Sequence, residues 1–140
     1  MVSLEEFHDL QVKFSGLADF ITVYIAEAHP RERPNFRGNI DISTHRLLED
    51  RVKAAGMLKD VMKGDDNTIV VDTMDNLACA AYAALPERLY IVLDDRIVLE
   101  VSIVLFTLIS YLSANTQGGV GPFGYNLAEI EAYLETFTSS

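Results

Sequence analysis

RLYIVLDDRIVLE, Arg88 to Glu100, is the stretch on which the fold turns. Two runs of aliphatic and aromatic residues meet at the polar pair Asp94-Asp95, so the stretch reads as two strands joined by a turn. Ahead of it, NLACAAYAAL (Asn76 to Leu85) reads as a short helix stopped at Pro86, and TIVVD (Thr68 to Asp72) as a strand. Further back, Ser43 or Thr44 can cap a helix whose Leu47, Leu48, Val52, Ala55, Leu58 and Val61 make one apolar stripe before KGDDN ends it. DFITVYIA (Asp19 to Ala26) is β-branched, aromatic and nearly uncharged, the pattern of a strand covered on both faces. Leu4, Phe7, Leu10 and Phe14 recur at helical spacing before Gly16, with Glu5 and Glu6 where the helix dipole favours acids. NLAEIEAYLETF (Asn126 to Phe137) closes the chain with another helix. The predicted order is αβαβαββα, without repeats, low-complexity segments or a visible domain boundary.

A chain of 140 residues with 49% hydrophobic content suits a single domain with one core. Its 11 basic residues stand against 21 acidic ones, a net charge of -10, which argues against nucleic acid or an anionic membrane surface as partner. The single cysteine, Cys79, excludes an internal disulfide and a thiolate zinc site and suits a reducing compartment. His8, on the first helix, lacks ligand-like spacing to the other histidines, so no metal is expected. MVSLEEFHDL has no basic region followed by an apolar run, so it is not a signal peptide. Val101 to Leu112 is free of charge but shorter than the roughly 17 to 25 apolar residues of a membrane helix. The chain as given therefore reads as soluble.

An alternating order that ends in a hairpin and a helix matches the back portion of a thioredoxin-like α/β sheet, whose first strand and nucleophile-bearing turn would precede the first helix. VYIAEAHP, NIDISTHRLLEDRVKAA, VVDTMDN, AALPERLYI and GGVGPFGYN resemble, in the same order, segments of the iodothyronine deiodinase family. The resemblance implies a thioredoxin-like selenoprotein that removes iodine reductively from thyroid hormones, in a thyroxine 5′-deiodinase-like reaction. It further implies a thiol reductant as co-substrate with no bound cofactor, an iodothyronine-like ligand, and homodimerisation.

Glu27 and His29 leave the C-terminal end of a strand, where open α/β sheets place ligand and catalytic groups. By themselves they read as a proton-handling pair or as a cap and a loop histidine. The resemblance implies that His29 contacts substrate and that Glu27 and Tyr24 belong to the network around the selenolate. Tyr24 also reads as a packed strand residue. His45, at the predicted start of the second helix, would be held neutral by the positive end of the dipole and could pass a proton. Arg88, just after Pro86, can reach a phenolate or carboxylate, or pair with an acid of the chain; the resemblance favours the first, with His29 and Arg88 gripping the two ends of the substrate.

Reductive deiodination needs a soft selenolate or thiolate. Cys79 lies in an apolar helix-like run and reads as an inert buried thiol. In the family the nucleophile sits in a turn reading roughly Ser-Cys-Thr-Sec-Pro-Pro-Phe-Met, and VSLEEFHDL resembles the helix that follows. Met1 is therefore expected to align just after that turn, with the first strand, the nucleophile and an N-terminal membrane anchor ahead of it, as in a gene model restarted after an in-frame UGA. Such a chain is expected to be inactive, its parent being membrane-anchored with the domain facing a reducing, cytoplasmic compartment. In the family the strand resembling RIVLE runs directly into GGVGPFGY, so Val101 to Gln117 is additional. Val-Ser and Gln can be encoded by GTAAGT and CAG, and the segment reads as a translated intron, with a genuine apolar insertion as the other reading. Two further functions stay open: a non-catalytic thioredoxin-like binding module, and a related thiol or selenol redox enzyme with another substrate.

Overall fold

The computed structural model describes residues 4–28, 30–32, 42–64, 67–85, 88–102 and 127–138. Among them the chain is mixed α/β, in the order α1 (Leu4–Phe14), β1 (Ile21–Tyr24), α2 (Leu48–Val61), β2 (Thr68–Val71), α3 (Leu77–Ala81), β3 (Arg88–Leu93), β4 (Arg96–Ser102) and α4 (Leu127–Thr138). This is the order predicted from periodicity. The chain falls into two compact units, Phe20–Pro86 and a second built from Met1–Asp19 with Glu87–Ser140.

In the first unit β1 and β2 pair in parallel, Ile21 opposite Thr68 through Tyr24 opposite Val71. The ladder is prolonged by the Asp72 amide, which donates to the Tyr24 carbonyl at 2.9 Å. Both strands alternate exposed and half-buried residues. The expectation that β1 is covered on both faces is therefore corrected: Ile21 and Val23 are 63% and 43% exposed, because the alternation of a strand sends them to the face opposite Tyr24.

Helix α2 also departs from the expected stripe. Leu47, Leu48, Val52 and Val61 are exposed, and the buried face carries Arg51, Ala54 and Ala55. These positions are three and four apart and lie on one face of a helix, and two alanines leave room for the long arginine. The cap differs too. Asp50, inside the first turn, accepts from the amides of Arg46 and Leu47, each at 3.0 Å, while Thr44 is turned to Glu32. Ser43 and Thr44 thus give way to a carboxylate that reaches back from the third helical position. Helix α3 stops at Ala81, short of Pro86, as Ala83 takes a left-handed backbone with φ 47°.

The second unit contains the β3–β4 hairpin, antiparallel from Arg88 opposite Ser102 to Leu93 opposite Arg96, with a bulge at Ile91/Val92. Asp94 and Asp95 both have positive φ, 50° and 59°, the geometry that matches a two-residue turn to the twist of its strands. Val101 is 6% exposed and pairs with Leu89. The first two residues of the proposed insertion therefore continue β4, and the remainder of Val101 to Gln117 lies outside the described residues. Leu10 and Phe14 of α1 and Ile130 and Leu134 of α4 are buried. Lys13 bridges the two helices by pairing with Glu131 and Glu135, each at 2.6 Å.

Candidate active site

The C-terminal end of β1 collects three of the predicted residues. Tyr24, the last residue of the strand, donates its hydroxyl hydrogen to Glu27 Oε2 at 3.1 Å. The Tyr24 ring faces that of His45, with centroids 5.8 Å apart and planes tilted by 48°. Burial, then the neighbouring Glu27 charge and its hydrogen bond, push the Tyr24 phenol well above its ordinary range, against the opposing influence of Arg51. Tyr24 is held as a neutral donor.

His45 is held neutral as well, but not as expected. It precedes the N-cap Leu47 and so lies outside α2. Its imidazole is lowered first by burial and then by the Arg51 charge, while Glu27 and Asp50 oppose both. Helix-dipole control is thereby corrected to desolvation beside a cation. Both ring nitrogens are buried without a hydrogen-bond partner among the described residues. A neutral imidazole offers one donor and one acceptor, and here neither is committed.

His45 lines an open cleft of about 470 Å³ together with Arg31, Glu32, Arg46, Asp50, Lys53 and apolar groups that include Met57. The two acids are already engaged, Glu32 by Thr44 and Asp50 by the backbone at the start of α2. The cleft wall therefore presents Arg46 and Lys53 in a chain that is acidic as a whole. A cleft of about 410 Å³ in the other unit is lined by Glu6, Asp9, Lys13 and Glu131 among others and contains no predicted site residue.

Behind the cluster lies a residue that sequence reasoning missed. Arg51 is 2% exposed. Its Nη1 donates to the carbonyls of Asp72 at 3.0 Å and Thr73 at 2.6 Å, and its Nη2 to Asn76 Oδ1 at 2.9 Å. Asp72 is 4% exposed and accepts from the amides of Thr73, Ala78 and Cys79 at 2.8 to 2.9 Å. Burial raises its carboxyl, but those amides and the Arg51 charge outweigh it and hold the group below the usual carboxylate range. Asn76 adopts a left-handed backbone, φ 59°, which asparagine tolerates well and which aims its amide at the guanidinium. The sequence signal was VVDTMDN itself, in which Asp72 and Asn76 supply side-chain acceptors to buried donors of the turn.

Arg88 belongs to the second unit. It opens β3, and its Nη1 donates to Glu100 Oε1 diagonally across the hairpin. Pairing with an acid of the chain was one of the two sequence readings of Arg88. His29 lies outside the described residues. Cys79 is half-buried on α3, its amide tied to Asp72. Among the described residues no three His, Cys, Asp or Glu side chains could hold a metal ion, and no helix is long and apolar enough to cross a membrane.

The family model described as iodothyronine deiodinase matches residues 1–138. Type I iodothyronine deiodinase of Xenopus laevis is 37% identical over 132 residues, covering 94% of this chain and 45% of that protein. Thyroxine 5-deiodinase of Sparus aurata is 38% identical over 138 residues, covering 98% of this chain and 45% of that protein. Type II iodothyronine deiodinase of Petromyzon marinus is 38% identical over 138 residues, covering 98% and 42%. The chain spans less than half the length of these curated relatives.

Proposed function

The chain belongs to the iodothyronine deiodinase family, and on that premise we propose that it supplies the proton-handling and substrate-binding part of a thiol-dependent reductive deiodinase of thioredoxin-like fold, acting on iodothyronine-like phenols. The observation that carries the reading is the Tyr24 to Glu27 hydrogen bond at the end of β1, with the neutral His45 ring beside it. The parallel β1–β2 pair and the β3–β4 hairpin, in this element order, support the fold.

In the proposed reaction a selenolate or thiolate attacks iodine on the phenolic ring. The ring carbon takes a proton, and iodine departs on the nucleophile as a selenenyl or sulfenyl iodide. Two thiols then restore the selenol or thiol, forming a disulfide and releasing iodide with a proton. His45, Glu27 and Tyr24 deliver the proton to the ring carbon; the family resemblance assigns substrate contacts to His29 and Arg88. Cys79 is not assigned as the nucleophile, since its backbone amide donates to Asp72 and nothing observed at its thiol marks it as activated. A thiol-driven reaction and a lone cysteine both suit a reducing compartment.

The test is iodide release from thyroxine with dithiothreitol, by this chain and by a fusion in which a relative's first strand and nucleophile turn, with cysteine for selenocysteine, precede Met1. Release from the fusion and none from the chain is the expected result. Release from the chain alone, lost in Cys79→Ser, would make Cys79 the nucleophile. No release from either, with thyroxine still bound, would favour the binding module.

A further inference from the structure

Arg51 is a buried cation whose hydrogen-bond partners among the described residues, two carbonyl oxygens and one amide oxygen, are all neutral. Its Nε–H is buried and unpartnered among the described residues. Burying a charge in this way is expensive, and an apolar side chain of similar volume would hold α2 against the turn at lower cost. The Asp72 carboxylate does not take up the charge by hydrogen bonding, since its oxygens face the amides of Thr73, Ala78 and Cys79. The same Asp72 links Arg51 to the site. Its carbonyl accepts from Nη1, and its amide donates to the Tyr24 carbonyl at 2.9 Å. The Tyr24 ring in turn lies against His45.

From this series of contacts we propose that Arg51 is the positioning residue of the Tyr24, Glu27 and His45 cluster: its forked contacts fix the turn on which Tyr24 is hung and so the place of the Tyr24 ring against His45. The charged and titratable groups around His45 are Tyr24 and Glu27 at the end of β1, Asp50 and Arg51 on α2, and Arg31, Glu32, Arg46 and Lys53 along the cleft. Of those acting most strongly, Glu27 and Asp50 favour the imidazolium and Arg51 opposes it. The catalytic meaning of this assignment rests on the deiodinase reading, whereas the assignment itself is read without turnover.

The experiment is an NMR titration of the imidazoles of the whole chain, with His45→Gln identifying the signal. In Arg51→Met the His45 midpoint should rise by about half a pH unit or more, because a nearby positive charge is gone while the ring stays buried. In Asn76→Gly, which keeps the left-handed backbone and removes only the Nη2 acceptor, the cross-peak between the Tyr24 and His45 rings should weaken. An unmoved midpoint in a cooperatively folding Arg51→Met, or an undiminished cross-peak in Asn76→Gly, overturns the proposal. Should Arg51→Met fail to fold, Asn76→Gly decides. Both readouts stand apart from iodide release, so the positioning role and the deiodinase reading can fail separately.

Discussion

The rings of Tyr24 and His45 face each other at 5.8 Å, and the Tyr24 hydroxyl donates to Glu27 while both His45 nitrogens have no hydrogen-bond partner among the described residues. Tyr24, Glu27 and His45 therefore stand as neighbours in one cluster, with Tyr24 held as the donor to Glu27.

The first prediction concerns acid. Because the folded state lowers the affinity of His45 for a proton from its ordinary value of 6.5, the unfolded chain binds that proton first as pH falls, and stability drops from about pH 6.5 downward. The carboxyls of Glu32, Asp50 and Asp72, which the fold lowers, start from 4.5, 3.8 and 3.8, so their loss comes at lower pH. Urea melts of wild type and His45→Gln between pH 7 and 5 should show a decline in the first and a flatter line in the second. Parallel declines would assign the sensitivity elsewhere.

At the alkaline end the sign reverses. The folded state raises the Tyr24 phenol above its ordinary value of 10.0, so the unfolded chain loses that proton first and stability is lost as pH climbs past 10. Tyr24→Phe should remove this part of the alkaline decline. At neutral pH it should cost about 1 kcal/mol for the lost hydrogen bond to Glu27. Denaturant melts at pH 7 and 10.5 would measure both.

Asp72→Ala should be among the more damaging single changes in the Phe20–Pro86 unit. It strips the acceptor from three amides, two of them at the start of α3, and a lost cap together with unsatisfied buried amides costs on the order of 2 to 4 kcal/mol. A change below about 1 kcal/mol in a urea melt would show that water replaces the carboxylate at no great cost.

Much of this architecture was legible in the sequence because its signals are local. Leu4 through Phe14 recur with the period of a helix, and Asp94-Asp95 marks a turn whatever surrounds it. Tyr24, Glu27 and His45 were legible as candidates through the motifs that contain them. Arg51 was not, since a charged residue on a helix reads as solvent-facing until the carbonyls of Asp72 and Thr73, more than twenty positions on, are brought to it. The same residue displaced the expected apolar stripe of α2. The capping role of Asp50 was hidden for a related reason: Ser43 and Thr44 stand ahead of the helix as ordinary cap types, but Glu32 occupies Thr44.

Arg88 and Glu100 yield a prediction that separates stability from binding. Their pair lies at the edge of solvent, with side chains 19% and 44% exposed, so Glu100→Gln should shift stability by less than about 1 kcal/mol. In the fusion enzyme the same change frees the guanidinium and should lower KM for thyroxine, while Arg88→Ala should raise it about ten- to hundredfold. An unchanged KM in both variants would remove Arg88 from substrate binding.

The central claim, that the cluster at the end of β1 handles a proton in reductive deiodination, is tested most directly by steady-state kinetics of the fusion enzyme carrying Glu27→Gln or His45→Ala. A group that transfers a proton only as the ring carbon is protonated should, when removed, lower kcat by roughly a hundredfold or more with KM little changed. Variants that raise KM and leave kcat intact would contradict the claim and turn the cluster into a binding feature.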